Sequence, residues 1–375
     1  MSGTAGDELD PISLADFEAI ARATMTEADF ELVDSHAGGN VTMERTRAAW
    51  DALALLPRVL PGVPRADLGV EVLGRRLEMP VLLAPVGYLT RAHPDGELAA
   101  ARAAATTGTV FCIAANPGQP PEAVGAEGSG PKWLQTYLFH DREETIRRVR
   151  VAEDAGYAAM VLTLDAHWPA KREGRVRRRA ISGHAQEAHR PSADAIDPAS
   201  GRQPYRVLPD PARNWADPRA TWDDLAWFRT LTSLPIIAKG IMNPADAVGC
   251  IERGLDAIVV SNHGGRLDNT PATIEVLPEV VSAVGGRAEV YLDGGIRRGA
   301  DVVKALALGA RAVLIGRPLV WGLAHGGRAG LEMLLDILRE EIEMTMMLSG
   351  RATIASLDRS LVTRLPELPP SYARA

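Results

Sequence analysis

From residue 79 onward the chain alternates short, almost continuous apolar runs with polar loops and amphipathic segments rich in Ala, Leu and Glu. The runs are "MPVLLAP" (79–85), "TVFCIAA" (109–115), "KWLQTYL" (132–138), "AAMVLTLD" (158–165), "LPIIAKG" (234–240), "AIVVSN" (257–262), "AEVYLDGG" (288–295) and "AVLIGRP" (312–318). Each is too short for a helix and apolar at successive positions, which predicts strands buried on both faces. Between them, "DREETIRRVRVAEDAG" (141–156), "NPADAVGCIERG" (243–254) and "ADVVKALALGA" (300–310) read as helices, several of them stopping at Gly. Eight strand–helix units in about 250 residues predict an α/β fold, a (β/α)₈ barrel. A doubly wound sheet is the alternative, but the opening strands lack a G-x-G-x-x-G turn.

Two stretches fall outside the repeat. Residues 13–60 predict helices added before the barrel, with Ser13 as the N-cap of "SLADFEAIARATM". Residues 173–220 form a long connection after the fourth strand, full of Pro, Arg, His, Asp and Ser, and predict a lid or mobile loop. The alternation resumes after it, so residues 1–375 are expected to form one domain.

Composition narrows the partners. A net charge of −7 and a pI near 5.7 argue against a nucleic-acid or anionic-membrane surface as the main partner. The basic cluster "KREGRVRRRA" (171–180) still allows a local anion site. Cys112 and Cys250 make neither a disulfide framework nor a metal-ligand spacing, and Cys112 reads as a buried, inert thiol. A reducing, cytoplasmic setting is expected, since "MSGTAGDELD" lacks the apolar core of a signal peptide. No apolar stretch is long enough to span a bilayer.

Barrel enzymes keep their chemistry at the C-terminal ends of the strands. Polar residues interrupt the apolar runs there: Gln135 and Tyr137, Thr163 and Asp165, Lys239, His263 and Arg266, Asp293 with Gly294, Gly295 and Arg297, then Gly316 and Arg317. Any one of them alone reads as a cap or a packing residue. A whole series on one rim is hard to assign to stability, where Val, Leu or Ala would serve better. "SNHGGRLD" (261–268) is good turn chemistry, yet it also sets a base and a fixed cation two glycines apart. Asp165 and His263 could form a base with its orienting carboxylate. The glycine turns and arginines of "LDGGIRRGADVVKALALGARAVLIGRP" precede two helix N-termini and point to a phosphate site. Lys239 reads either as half of a salt bridge or as a cation beside the pyrimidine edge of a flavin.

With these residues in view, the chain resembles the FMN-dependent 2-hydroxy-acid oxidase and dehydrogenase family, which includes glycolate oxidase, lactate oxidase and mandelate dehydrogenases. The likeness covers roughly residues 13–360 and rests on "APVGYLTRAHPDGE", "LQTYLFHDR", "LTLDAHWPAKR", "SLPIIAKGIM", "SNHGGRLD", "LDGGIRRGADVVKALALGA" and "IGRP". It implies His263 as the base, Asp165 as its partner, Tyr137 on the substrate oxygen, and Arg266 and Arg172 on the substrate carboxylate. It further implies Lys239 at the flavin N1/O2 edge, with Gln135, Thr163 and the backbone around Val86 and Gly87 against the ring. Asp293 would hold the ribityl chain, and Gly295, Arg297, Gly316 and Arg317 the phosphate. The implied cofactor is FMN, the implied partner a small-molecule L-2-hydroxy acid substrate, and the implied assembly a homo-oligomer, a tetramer.

Three departures bear on the substrate. A Tyr that touches the carboxylate in the family aligns with Leu32, and a Ser that helps to bind flavin aligns with Ala114. The family's Arg-Gln-Leu-Asp is one residue shorter here, as Arg266-Leu267-Asp268. A flavin site that is nearly complete beside a missing substrate anchor points to a bulky or aryl acid, with the reduced flavin reoxidised by oxygen or another acceptor. Two other classes compete. "LDGGIRRGADVVKALALGA" also resembles inosinate dehydrogenases and the FMN-dependent isoprenoid diphosphate isomerase, and Leu32 with Ala114 would suit a flavin protein without turnover. The paired His and Arg of "SNHGGR" favour carboxylate oxidation over the first, and the intact His263, Asp165, Tyr137, Arg172 and Arg266 speak against the second.

Overall fold

The computed structural model describes residues 10–168, 170, 172 and 216–366. Most of the predicted 173–220 connection, and most of the basic cluster at 171–180, therefore lie outside the described residues.

Three helices come first: α1 (Leu14–Thr24), α2 (Glu27–Asp34) and α3 (Val41–Asp51). Ser13 is the N-cap of α1, as expected, but its hydroxyl bonds Asp16 Oδ2 at 2.9 Å rather than a helix amide. Strand β1 (Leu53–Leu55) and the hairpin β2 (Val70–Val72) and β3 (Arg75–Leu77) follow.

The barrel strands are β4 (Val81–Leu83), β5 (Phe111–Ile113), β6 (Lys132–Thr136), β7 (Ala159–Thr163), β8 (Ile236–Ile241), β9 (Ala257–Val260), β10 (Glu289–Asp293) and β11 (Ala312–Ile315). They pair in parallel around a closed ring in which β11 returns to β4. All eight predicted runs become strands of this (β/α)₈ barrel. The ladders are shorter than most of the runs, whose outer residues lie in the loops at either end of the barrel.

Helices pack outside: α4 (Gly96–Thr107), α5 (Pro121–Ala126), α6 (Arg142–Asp154), α7 (Trp222–Arg229), α8 (Pro244–Glu252), α9 (Thr273–Val284), α10 (Gly299–Ala307) and α11 (Arg317–Ser349). Local chemistry sets several boundaries. The Asp141 side chain accepts the Glu143 amide to start α6, and Asn243 does the same for Ala245 ahead of Pro244 in α8. Helix α11 breaks at Gly326 and Gly327, whose backbone is not helical. Strand β12 (Val362–Arg364) pairs antiparallel with β1. No helix among the described residues is long and apolar enough to cross a membrane.

Period-two alternation sorts the strand side chains into two cores. One set, including Met160, Leu162, Ile236 and Ala238, packs outward against the helices. The other fills the barrel: Leu82, Cys112, Trp133, Val161, Ile237, Val259, Tyr291 and Leu314. Val70, Val72 and Leu77 of the β2–β3 hairpin belong to this inner cluster, and the Leu73 amide donates to Glu289 at the start of β10. The hairpin therefore stoppers the N-terminal end of the barrel. Both cysteines are buried and free, and burial pushes the Cys250 thiol up to about 12, as befits inert thiols.

Candidate active site

Two residues beyond each inner apolar position, the same parity delivers the next inward layer: Ala84, Ala114, Gln135, Thr163, Lys239, Ser261, Asp293 and Gly316. Here the filling turns polar. Lys239 and Asp293 are 4% and 8% exposed and form an ion pair at 3.2 Å. Burial opposes the ammonium, but Asp293 and then Asp165 hold its pKa above the ordinary lysine range. Lys239 Nζ also donates to Ser261 Oγ at 3.1 Å, and the same oxygen accepts the His263 amide at 3.1 Å. Ser261 thus links the cation to the loop that carries the histidine.

That loop is held in an unusual backbone. His263, Gly264 and Gly265 all have positive φ, at 53°, 68° and 79°. For a non-glycine residue this conformation is strained, and such strain concentrates at functional sites. A side chain at Gly265 would meet Met43 Sδ at 3.2 Å, so the tight turn also needs the glycine there.

The result is a short bond from His263 Nδ1 to Asp165 Oδ1 at 3.0 Å. Burial alone would raise the Asp165 carboxyl, but the His263 ring bonded to it, with the charges of Lys239 and Arg266, brings it down to about 2. Burial lowers the His263 pKa, Lys239 and Arg266 add to that, and Asp165 opposes them. At neutral pH the pair is a carboxylate and a neutral imidazole. A carboxylate only accepts, so the imidazole proton lies on Nδ1 and the Nε2 lone pair is left for a substrate. Gly240, at φ 98°, makes this approach feasible: a Cβ there would fall 2.6 Å from Asp165 Oδ1.

Arg266 follows one turn later. Its Nη2 donates to the Trp168 carbonyl at 2.8 Å, while its buried Nε has no partner. Tyr137 stacks edge-on against Phe139 at 6.0 Å, and burial raises its pKa, so the phenol stays protonated. Arg172 reaches α2, where Nη1 donates to the Leu32 carbonyl at 3.2 Å and to Ser35 Oγ at 2.8 Å. The half-buried Leu32 thus meets a predicted substrate arginine through its backbone. Gln135 is turned toward the chain: Oε1 accepts the Ala115 amide and Nε2 donates to the Thr136 carbonyl, both at 2.8 Å.

Beside this cluster, Gly316 lies under Val86, whose Cγ2 is 3.7 Å from where a Cβ would stand, and a Cβ on Gly87 would crowd the Asn116 carbonyl at 3.1 Å. Arg297 stacks over Trp321 at 4.6 Å, and burial together with the Arg317 guanidinium draws its pKa down to about 10. Burial also lowers the pKa of Arg317, which donates to the Val33 and Asp34 carbonyls at the C-terminal end of α2. Gly295 (φ 81°) packs so close to Trp50 Nε1 that a Cβ would come within 2.6 Å.

The structure therefore brings His263, Asp165, Lys239, Asp293 and Arg266 into one connected group. It sets Arg297, Gly295, Gly316 and Arg317 at the ends of β10 and β11 and puts Arg172 against α2. Ser261, Gly240 and Asn262 belong to the same rim and were not singled out from the sequence. Ser261 and Asn262 stood inside a run read as strand, and the role of Gly240 depends on a neighbour 75 positions earlier.

The family model for FMN-dependent dehydrogenase matches residues 21–364. The chain is 40% identical over 359 residues to 2-hydroxyacid oxidase 1 of Homo sapiens, covering 95% of this chain and 97% of that protein. It is 40% identical over 360 residues to an L-lactate oxidase of Nostoc sp., covering 94% and 98%. A crystal structure of a mandelate oxidase superposes with a TM-score of 0.83 at 36% identity, over 96% of this chain and all of the other. With eight parallel strands, a polar rim at their C-terminal ends and a family match over nearly the whole length, the chain belongs to the FMN-dependent dehydrogenase family of 2-hydroxy-acid-oxidising enzymes.

Proposed function

We propose that this enzyme oxidises the CH–OH carbon of a bulky or aryl L-2-hydroxy acid to a 2-oxo acid, with His263 as the base. The observation that carries the reading is the neutral His263 imidazole, bonded to ionised Asp165, beside Arg266 with its unpaired buried Nε.

The residues fit FMN. Asp293 Oδ1 and Asn262 Nδ2 are buried without partners, and hydroxyls or ring heteroatoms would satisfy them. The Arg317 charge depresses Arg297, and a phosphate between the two would relieve that cost. On this reading Gly295, Arg297, Gly316 and Arg317 hold the phosphate and Asp293 the ribityl chain. Gln135, Thr163 and the backbone of Val86 and Gly87 would hold the ring, and the Lys239 ammonium would stabilise negative charge on it. Bound FMN supplies the acceptor for the electron pair that leaves the substrate carbon.

The protein's own part is positioning and proton transfer. Arg266 and Arg172 pair with the substrate carboxylate, and Tyr137 donates its phenolic hydrogen to the substrate oxygen. His263 takes a substrate proton at Nε2, and Asp165 stabilises the imidazolium that results. Leu32 offers apolar contact where a hydroxyl would favour a small acid, and the likeness to mandelate oxidase supports the aryl preference. Anaerobic mixing with glycolate, lactate and mandelate, followed by flavin bleaching, tests the reading. Mandelate should reduce the flavin with the highest kcat/KM, and a preference for glycolate would remove the bulky-acid proposal.

The reading extends to a cytoplasmic homo-oligomer, a tetramer. The two free, buried cysteines support a reducing compartment. Val59, Leu60 and Leu348, at 88%, 96% and 72% exposed, support self-association. Light scattering that returns a monomer would refute the assembly.

A further inference from the structure

Helix α3 is attached at both ends to loops of the rim. Its own N-cap residue, Asn40, has φ 80° and makes no side-chain cap bond. The cap comes from the loop after β9, where Asp268 accepts the Gly39 amide on Oδ2 at 2.8 Å and the Thr42 amide on Oδ1 at 2.9 Å. Those amides hold the Asp268 carboxyl below its ordinary range. The junction has further stitches. Thr42 Oγ1 donates to the Leu267 carbonyl at 3.3 Å and accepts the Thr270 amide at 3.0 Å, and the Ala37 amide donates to the Gly265 carbonyl at 2.9 Å. Gly38 (φ 57°) lies so close that a Cβ would stand 2.6 Å from Asp268 Oδ2. The segment that carries His263 and Arg266 is thus sewn to the start of α3.

The second half of α3 holds the neighbouring loop. Trp50 Nε1 donates to the Gly294 carbonyl at 3.0 Å, and Arg47 Nη1 donates to the Gly295 carbonyl at 3.3 Å. Arg47 also forks onto Asp301, and one oxygen of that carboxylate accepts the Arg297 and Arg298 amides. Lys304 Nζ closes the far end on the Trp50 carbonyl at 3.0 Å.

We propose that α3 is a brace coupling the base loop after β9 to the cofactor loop after β10, with Asp268 the positioning residue that seats its N-terminal end. The proposal rests on the reading of His263 as the base and Gly295–Arg297 as part of the FMN site. A helix is stiff, so a displacement at one end is felt at the other, and residues joined in one network lose additivity.

The test uses the full chain reconstituted with FMN and the variants Asp268→Asn, Trp50→Phe and their combination. Two quantities are read: the FMN dissociation constant by fluorescence, and the limiting rate of anaerobic flavin reduction by saturating mandelate. Each variant should move the quantity belonging to the other end of the helix. Asp268→Asn should weaken FMN by about threefold or more, and Trp50→Phe should slow reduction by a similar factor, near the lower end of coupling in connected networks. The double variant should lose less than the product of the single losses. Effects confined to the near end, or multiplying independently, overturn the brace. Should Asp268→Asn fail to fold, Thr42→Ala cuts the same junction. If no 2-hydroxy acid reduces the wild-type flavin, the assignment of the base fails instead, and the FMN affinity of Asp268→Asn still decides the brace.

Discussion

The lower and upper layers of the barrel share strands, parity and backbone geometry, yet they are filled by opposite rules. Leu82, Cys112, Trp133, Val161, Ile237, Val259, Tyr291 and Leu314 make a dry plug. Two residues further along, Gln135, Thr163, Lys239, Ser261 and Asp293 occupy an equally buried layer with polar groups. Leucines and valines in that upper layer would be more stable, because a buried ion pair seldom repays its desolvation. The upper layer holds its charges through a network of contacts, and two of its polar neighbours, Asp293 Oδ1 and Asn262 Nδ2, remain unsatisfied. Orphaned polar atoms where apolar ones would serve stability better identify a layer shaped by ligand chemistry.

This contrast can be broken most severely at its chemical centre. His263→Asn should retain FMN and lower the rate of flavin reduction by about 10²–10⁴-fold, the usual worth of a positioned base. Stopped-flow bleaching under nitrogen measures it, and near-wild-type reduction would exclude His263. The pH dependence carries a sign. Because burial sets the His263 pKa below its ordinary value, the wild-type rate should hold as pH falls through 6.5 and drop only below it. Asp165 raises that pKa, so Asp165→Asn should move the acid limb to still lower pH while slowing the reaction.

Next comes the ion pair. Lys239→Met leaves the Asp293 carboxylate buried alone and should destabilise the apoprotein by about 3–5 kcal/mol. Making the upper layer resemble the lower one, with Lys239→Met and Asp293→Leu together, should restore that loss or exceed it while abolishing FMN binding. Urea unfolding and FMN titration of both variants check this. A double variant that stays as unstable as the single one would contradict the comparison.

Leu32→Tyr is milder. A hydroxyl bonded to a carboxylate contributes about 1.5–3 kcal/mol, so kcat/KM should shift from mandelate toward glycolate and lactate. An unchanged preference would make Leu32 a packing residue. The smallest change tests the dry layer: Ile237→Val should cost about 0.5–1.5 kcal/mol of stability by urea unfolding and leave FMN affinity unaltered.

The barrel was legible because a strand buried on both faces must be apolar at successive residues, and eight such runs recur. The rim was legible for a related reason: Lys239, Asp293, His263 and Arg266 stand out where those runs end. Ser261 and Asp268 stood inside the quoted "SNHGGRLD" and Gly240 inside a strand run, but their roles escaped because nothing local distinguishes them. Ser261 acquires its role by lying between Lys239 and the His263 amide. Gly240 acquires its role by yielding space to Asp165, and Asp268 by capping a helix that begins 227 positions earlier. Such roles depend on which loops the closed ring brings together, and a one-dimensional pattern does not encode that.

The β2–β3 hairpin at the floor of the barrel carries a consequence for traffic. Val70, Val72 and Leu77 close that end against the apolar plug, and a carboxylate cannot cross such a core because it would have to shed its hydration there. The floor is thus no route for the hydroxy acid or the oxo acid, and both pass on the C-terminal side of the barrel, where His263 lies.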